Sequence, residues 1–104
     1  MDDSELSDFG INKRIAEHIG ITPDNIFDKE EVVFKPVGND EFEKFDPCNK
    51  PEHAMPIIIE NGISLIFENG IFEYATNDGD IECTIDNPYK AAMVIYLHMR
   101  DKEK

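Results

Sequence analysis

Two cysteines and three histidines are the side chains in this 104-residue sequence with the most versatile chemistry. Two of them, Cys48 and His53, lie five residues apart in the segment DPCNKPEHAMPIII, residues 46–59. A thiol beside an imidazole can act as an activated nucleophile, and the same two groups can bind zinc. The other cysteine and histidines are distant in sequence: Cys83, His18 and His98. A third catalytic or zinc-binding side chain could therefore reach Cys48 and His53 only if the fold brings it close to them.

Neither a zinc site nor a nucleophile is predicted from these spacings. Zinc sites take three or four ligands, commonly with a short pair such as CxxC or HExxH, and neither motif occurs in the chain. A cysteine in a loop that begins a helix is more often a small packing residue. We therefore expect no metal, no cofactor and no catalysis. The alternative is a small thiol-dependent enzyme or ligand-binding protein that uses Cys48 and His53.

Other catalytic and binding motifs are missing as well. The segment NDGDIE, residues 77–82, is similar to a calcium loop but lacks the alternating ligands before glycine and the distal glutamate. It is predicted to be a hairpin turn. No GxxxxGKS/T or GxGxxG phosphate-binding motif occurs, and among 23 acidic residues no carboxylate pair stands out. The sequence carries no enzyme motif.

The chain has a large excess of negative charge. Aspartate and glutamate number 23 against 10 lysines and arginines, a formal net charge of −13. Direct binding to nucleic acid or to an anionic membrane is disfavoured, because both normally require basic side chains. A basic protein is a suitable partner, including a DNA-binding groove that recognises a carboxylate-rich surface as it would DNA. The simpler interpretation is that the acidity keeps the protein soluble and monomeric.

Length and composition indicate a single domain over residues 1–104. A hydrophobic fraction of 40% suffices for a core, and two cysteines are too few for a disulfide scaffold. No apolar stretch is typical of a leader or of a membrane-spanning helix. We expect a cytosolic protein with reduced thiols and with flexible ends at about residues 1–5 and 101–104.

Three helices are predicted. The first is capped by Ser7 or Asp8 and stops at Gly20. It carries an isoleucine on one face at every fourth position: Ile11, Ile15 and Ile19. The second, residues 51–61, begins with a proline at its first position and contains Pro56, which should kink or restart it.

The third helix is apolar around its whole circumference over residues 91–97, AAMVIYL. Its start is predicted at Asn87-Pro88, as cap and first helical position. A helix of this kind is buried on more than one side. It is covered either by other elements of the chain or by a second copy, which would make residues 88–100 a homodimer interface.

The strands centre on ISLIFENGIFEYAT, where Asn69-Gly70 is the favoured pair for a two-residue hairpin turn. This turn predicts four cross-strand pairs: Glu68–Ile71, Phe67–Phe72, Leu65–Tyr74 and Ile63–Thr76. Five side chains then form the core face: Ile63, Leu65, Phe67, Phe72 and Tyr74. Further strands are predicted at residues 31–35, ending at a sheet edge with Pro36, and at 81–85, with a loop over 38–46.

These elements predict an α+β fold in the order αβαβββα. An antiparallel sheet of three or four strands surrounds the central Asn-Gly hairpin, and three helices pack on it.

Three segments in matching order resemble the NinX-like family of small phage and prophage proteins. They are SELSDFGINKRIAEHIG (4–20), FDPCNKPEHAMPIIIENGISL (45–65) and NPYKAAMVIYLHMR (87–100), roughly half of the chain. More remotely, the helix, hairpin, helix layout resembles the phage domain called the ABA sandwich. Members of the family lie among accessory genes of temperate phages and have no established activity. The resemblance implies a bacterial cytoplasm and an auxiliary role, without a mechanism.

The most recognisable part of this resemblance is a family-motif loop whose role is either structural or in binding. It comprises Phe45, Asp46, Pro47, Cys48 and Asn49, followed by Pro51 and Pro56. Met55 stands where relatives commonly carry an aromatic residue, and residues 21–44 match the family poorly. Any function located in that segment would be particular to this chain.

We expect a non-enzymatic phage accessory protein that binds a host or phage protein. The predicted contact surface is a set of six carboxylates: Asp40, Glu41, Glu43, Glu68, Glu73 and Glu82. A sharper alternative is a DNA mimic that inhibits a defence nuclease or a DNA-binding regulator. This alternative requires carboxylates in rows with the spacing of phosphates, about 3.4 Å per step along one strand.

Overall fold

Three α-helices, a single 3-10 turn at Pro23–Asn25 and six short strands lie within residues 6–102, the part of the chain that the structure, a computed structural model, describes. The helices are Asp8–His18 (α1), Pro51–Glu60 (α2) and Pro88–Lys102 (α3). The strands are Ile26–Phe27 (β1), Val32–Gly38 (β2), Glu41–Lys44 (β3), Ser64–Glu68 (β4), Ile71–Asn77 (β5) and Ile81–Cys83 (β6). This confirms the α+β class. Of the ends predicted to be flexible, about 1–5 and 101–104, residues 1–5 and 103–104 lie outside the described residues.

Within residues 6–102 the strands form two antiparallel sheets of three strands each, β1-β2-β3 and β4-β5-β6. The sequence pattern predicts one sheet, because residues 38–46 have the composition of a loop. Instead, Asp40 adopts the left-handed conformation, with φ +58°, and turns the chain back so that β3 pairs with β2. Residues 41–44 of the acidic segment therefore form the third strand of the first sheet, and the prediction of a loop over residues 38–46 is wrong.

Strand β2 continues through Pro36, where the sequence predicts its end. Pro36 pairs with Phe42 of β3, while β1 pairs with Val32 and Val33, nearer the start of β2. Proline has no N–H to donate, so it is tolerated where a strand has a partner on one side. The prediction of an edge position for Pro36 is confirmed, and that of a strand end is wrong.

Helix α1 begins as predicted, since Ser7 Oγ accepts a hydrogen bond from the Gly10 N–H at 3.0 Å. Ile11 and Ile15 are fully buried, whereas Ile19 follows the last residue of the helix and is exposed. The predicted isoleucine face of α1 therefore has two buried isoleucines instead of three.

Helix α2 begins at Pro51 and continues through Pro56 to Glu60 without a restart. The missing N–H of Pro56 deprives the carbonyl of Glu52 of its helical partner. Both residues are exposed, so water can hydrate that carbonyl. The interior proline is therefore accommodated on the solvent side of the helix.

Helix α3 lies at the centre of the core, and residues 91–97 are all buried, with at most 6% exposure. It packs against α1, α2 and the three strands of the second sheet. Because elements of the same chain cover it, its apolar circumference does not require a second subunit. The helix extends to Lys102, beyond the predicted flexible start at residue 101, and Arg14 Nη2 lies 3.3 Å from Asp101 Oδ1. No helix within residues 6–102 is long and apolar enough to cross a membrane.

The Asn69-Gly70 hairpin is confirmed, with both turn residues left-handed at φ +54° and +80°. The pairs Glu68–Ile71 and Phe67–Phe72 form as predicted. Beyond them Glu73 is an extra residue on β5, a β-bulge, so each later pair shifts by one position. The predicted pairs Leu65–Tyr74 and Ile63–Thr76 do not form. The strands instead pair Ile66 with Tyr74, Leu65 with Ala75 and Ser64 with Thr76.

The bulge changes which side chains of the hairpin face the core. Leu65, Ala75 and Cys83 form one row across the sheet, and the last two are buried. Tyr74, predicted in the core, moves to the opposite face, and Phe67 is 53% exposed near the hairpin tip. Because α3 packs on this sheet, a side chain as small as that of Ala75 allows the helix to approach closely.

Replacing a buried isoleucine of α3 tests this packing. Ile95→Ala should lower the free energy of unfolding by about 2–5 kcal/mol, because Ile95 is fully buried and truncation leaves a cavity. Ile59→Ala, at a helical isoleucine of α2 that is 72% exposed, is the matched control and should change it by less than about 0.5 kcal/mol. Urea denaturation monitored by circular dichroism measures both. Equal losses in the two variants would contradict the central position of α3.

Candidate functional site

The loop between β3 and α2, residues 45–50, holds most of the family-motif residues and is bonded to α1 and to the start of α3. The carbonyl of Asp46 accepts hydrogen bonds from the backbone of Asn49 at 3.1 Å and of Lys50 at 2.8 Å, which closes the turn before α2. Its carboxylate Oδ1 accepts from Asn12 Nδ2 of α1 at 2.8 Å and from Asn49 Nδ2 at 3.2 Å. Asp46 therefore joins the loop to the first helix.

The backbone of Cys48 is clamped between two asparagines from different helices. Its N–H donates to Asn12 Oδ1 at 3.2 Å, and its carbonyl accepts from Asn87 Nδ2 at 2.6 Å. Asn87 in turn caps α3, because its Oδ1 accepts from the backbone N–H groups of Tyr89 at 3.0 Å and Lys90 at 3.3 Å. We call Asn12, Asp46, Cys48 and Asn87 the loop clamp.

One ion pair lies beside the loop clamp. Lys90 Nζ is 2.9 Å from Asp8 Oδ1, and Asn49 Nδ2 donates to Asp8 Oδ2, also at 2.9 Å. The hydrogen bonds from Asn49 and then from Lys90 stabilise the carboxylate and lower the pKa of Asp8 below its ordinary value. The pair joins the start of α1 to the first turn of α3.

His53 is buried in α2, and both of its ring nitrogens have partners. Nδ1 accepts from the Asp46 N–H at 3.0 Å, and Nε2 lies 2.7 Å from Glu43 Oε1 of β3. The backbone donor at Nδ1 assigns the neutral tautomer in which Nε2–H donates to the carboxylate. This hydrogen bond also lowers the pKa of Glu43. His53 thus connects β3 to α2, and both nitrogens are engaged in doing so.

The thiol of Cys48 is fully buried, and its Sγ lies 3.8 Å from the carbonyl oxygen of Asp8. Burial raises the pKa of Cys48 far above that of an ordinary thiol, and the negative charges of Asp8 and Asp46 raise it further. Because the thiolate is the reactive form, this environment disfavours nucleophilic chemistry. Cys48 and His53 are directed at different partners and do not form a hydrogen-bonded pair, so the geometry favours the structural interpretation of the motif.

The six predicted contact carboxylates are divided between the two sheets. Asp40, Glu41 and Glu43 belong to the β2–β3 hairpin, whereas Glu68, Glu73 and Glu82 belong to the second sheet. Five of them are exposed, while Glu43 is half-buried and bonded to His53. Within residues 6–102 no group of three or more histidine, cysteine or acidic side chains is arranged to hold a metal ion.

The outward face of the first sheet is a feature that the sequence analysis missed. Cross-strand pairing of Phe27 with Val32 and of Phe42 with Pro36 places these side chains on the same face as Phe34, while Val33 points into the core. Phe27 is 41% and Phe42 53% exposed. We call Phe27, Phe34 and Phe42 the aromatic face.

A cavity of about 300 Å³ opens on the aromatic face, lined by its three rings and by Asn25. The Phe27 and Phe34 rings meet edge to face, with centroids 5.8 Å apart and an interplanar angle of 80°. One indication of an exposed apolar face is present in the sequence. The run VVFKPV, residues 32–37, has apolar residues at positions that point to both faces of a strand. The sequence predicts a loop at Phe42, and a loop residue has no predictable position beside the other two rings.

Comparisons with models of protein families, with curated proteins and with solved structures find no match to this chain. The resemblance to the NinX-like family therefore stays a prediction.

Removing one member of the loop clamp tests its contribution to stability. Asn12→Ala should lower the free energy of unfolding by about 1–3 kcal/mol, because the buried N–H of Cys48 loses its acceptor. Asn39→Ala, in the exposed β2–β3 turn, is the control and should change it by about 0.5 kcal/mol or less. Urea denaturation measures both, and an unchanged stability of Asn12→Ala would show that the clamp is dispensable.

Thiol modification tests whether Cys48 can react in the folded protein. In a Cys83→Ala variant, where Cys48 is the single remaining cysteine, an aromatic disulfide reagent at pH 8 should react on the order of 100-fold more slowly than after unfolding in urea. The expected protection follows from the burial of Sγ and the raised pKa of the thiol. Fast reaction of the native protein would instead favour the thiol-dependent alternative.

Proposed function

We propose that this protein acts by binding another protein through the aromatic face and the acidic turns beside it. The observation that carries the proposal is the exposure of two large aromatic side chains, Phe27 and Phe42, next to a third on the same sheet. Aromatic residues are enriched at interface cores, where burying them supplies much of the binding energy. A cluster of this kind on a strongly charged protein is therefore suited to recognition.

The charge around the aromatic face indicates a basic partner. The turn from β1 to β2 carries Glu30 and Glu31, and the turn from β2 to β3 carries Asp40 and leads into Glu41, all exposed. Like the whole chain, with its net charge of −13, these turns attract cationic surfaces. Complementary charge accelerates encounter and aligns the partner, while the aromatic rings supply the apolar contact.

The proposal extends to the cell compartment in which the protein acts and to the origin of its partner. The resemblance to phage accessory proteins suggests a bacterial cytoplasm, with a host or phage protein as the partner. A DNA mimic is a less suitable description of the aromatic face, because duplex DNA presents charged phosphates outward and keeps its aromatic bases stacked inside. The face instead supports recognition in which apolar contact and charge act together.

Affinity capture with matched variants tests this surface. The wild-type protein and a Phe67→Ala variant should retain the same partner from host lysate, while Phe42→Ala should bind it about tenfold more weakly or worse. Phe42 and Phe67 are both 53% exposed but lie on different sheets, so the comparison isolates the position of the side chain. Raising the salt concentration should weaken retention, because it screens the acidic turns.

Three results would count against the proposal. Retention that depends on Phe67 and not on Phe42 would move the contact to the second sheet, where Ile71 is also exposed. Equal retention of the partner by the wild type, Phe67→Ala and Phe42→Ala would exclude both the aromatic face and the second sheet as the contact surface. A solution mass near twice 11.9 kDa that falls to one chain in Phe42→Ala would make a second copy the occupant of the aromatic face.

A further inference from the structure

We propose that the cavity on the aromatic face is a binding site for a guanidinium group, supplied by an arginine side chain of the protein partner. This inference rests on the proposed function and names the chemistry that the first sheet recognises. It concerns the cavity of about 300 Å³ between Asn25 and the three phenylalanine rings.

The walls of the cavity present aromatic rings in different orientations. Phe27 and Phe34 stand nearly perpendicular to each other, at 80°, and Phe42 comes from the third strand of the same sheet. An aromatic ring carries partial negative charge on its face, so a cation placed over several rings is attracted by each of them. Orthogonal rings around an open cavity are the arrangement with which proteins surround organic cations.

The lining residues include no charged side chain, so the cavity relies on the rings and on charges outside it. Exposed carboxylates lie in the turns at the two ends of the sheet, at Glu30, Glu31 and Asp40, whereas the alternation of side chains along β3 directs Glu41 to the face opposite Phe42. Asp28 is partly neutralised by Lys13 Nζ at 2.7 Å. Lys44 pairs with Phe34 and shares its face without lining the cavity, and its positive charge opposes a cationic ligand.

Arginine fits this cavity better than other cationic side chains. Its guanidinium is planar and weakly hydrated, so it stacks on aromatic faces at a lower desolvation cost than a lysine ammonium. The side-chain carbonyl of Asn25 can accept one of its N–H donors. A volume of about 300 Å³ is at the lower limit of ligand pockets in general, which suits one side-chain head group.

The experiment is an NMR titration of the full chain with two probes of the same shape. Nα-acetyl-arginine amide should shift the ring resonances of Phe27, Phe34 and Phe42 and bind about tenfold more tightly than Nα-acetyl-citrulline amide, its neutral isostere. Phe42→Leu keeps the apolar wall but removes one ring, and should weaken arginine binding about fivefold. Phe67→Leu, on the other sheet, should leave it unchanged, and Lys44→Gln should strengthen it.

Several outcomes would overturn the inference. Equal affinity for the arginine and citrulline probes would show that charge is not recognised, and unchanged binding in Phe42→Leu would place the probe elsewhere. Tighter binding of Nα-acetyl-lysine amide would overturn the assignment to arginine. If partner capture depends on Phe42 while the two probes bind equally, the guanidinium site fails and the protein-binding function stands. If arginine is selected but no partner depends on Phe42, the proposed function fails instead.

Discussion

A stretch of backbone that crosses the interior must find a partner for each N–H and carbonyl, and in this protein that requirement falls on Cys48. Its two backbone groups are bound by Asn12 of α1 and by Asn87 at the start of α3. An unpaired buried amide or carbonyl costs about 1–3 kcal/mol, so neither asparagine is replaceable by an apolar residue without loss. The helices are therefore held in place by polar contacts as well as by apolar packing.

The loop clamp explains why the residues with versatile chemistry are poorly placed to perform it. Cys48 is buried where its thiol is stabilised in the protonated form, and His53 uses one nitrogen to fix the loop and the other to bind Glu43. The geometry of Cys48 and His53 therefore favours a structural role for this loop.

The two sheets have different relations to the core. The second sheet packs on α3 with small side chains such as Ala75 and Cys83, which allows close contact between sheet and helix. The first sheet turns Val33 inward and three phenylalanines outward, so its outer face retains apolar area that residues 6–102 leave exposed. This difference in packing is the reason why the proposed binding surface is placed on the first sheet.

The sequence by itself determined the elements whose causes are local. Ser7 caps α1, proline begins α2 and α3, and the Asn69-Gly70 pair sets a type of turn, because each depends on the conformational preferences of a few adjacent residues. The α+β class followed from these elements. The burial of residues 91–97 could also be predicted, since no side of that helix is polar.

Tertiary structure decided what depends on residues distant in sequence. The bulge at Glu73 places Ala75 instead of Tyr74 on the core face, against which α3 packs. The roles of Asn12 and Asn87 likewise required a loop some forty residues away, at separations of 36 and 39 positions. The aromatic face exists for the same reason: strand pairing brings together rings that no local pattern connects.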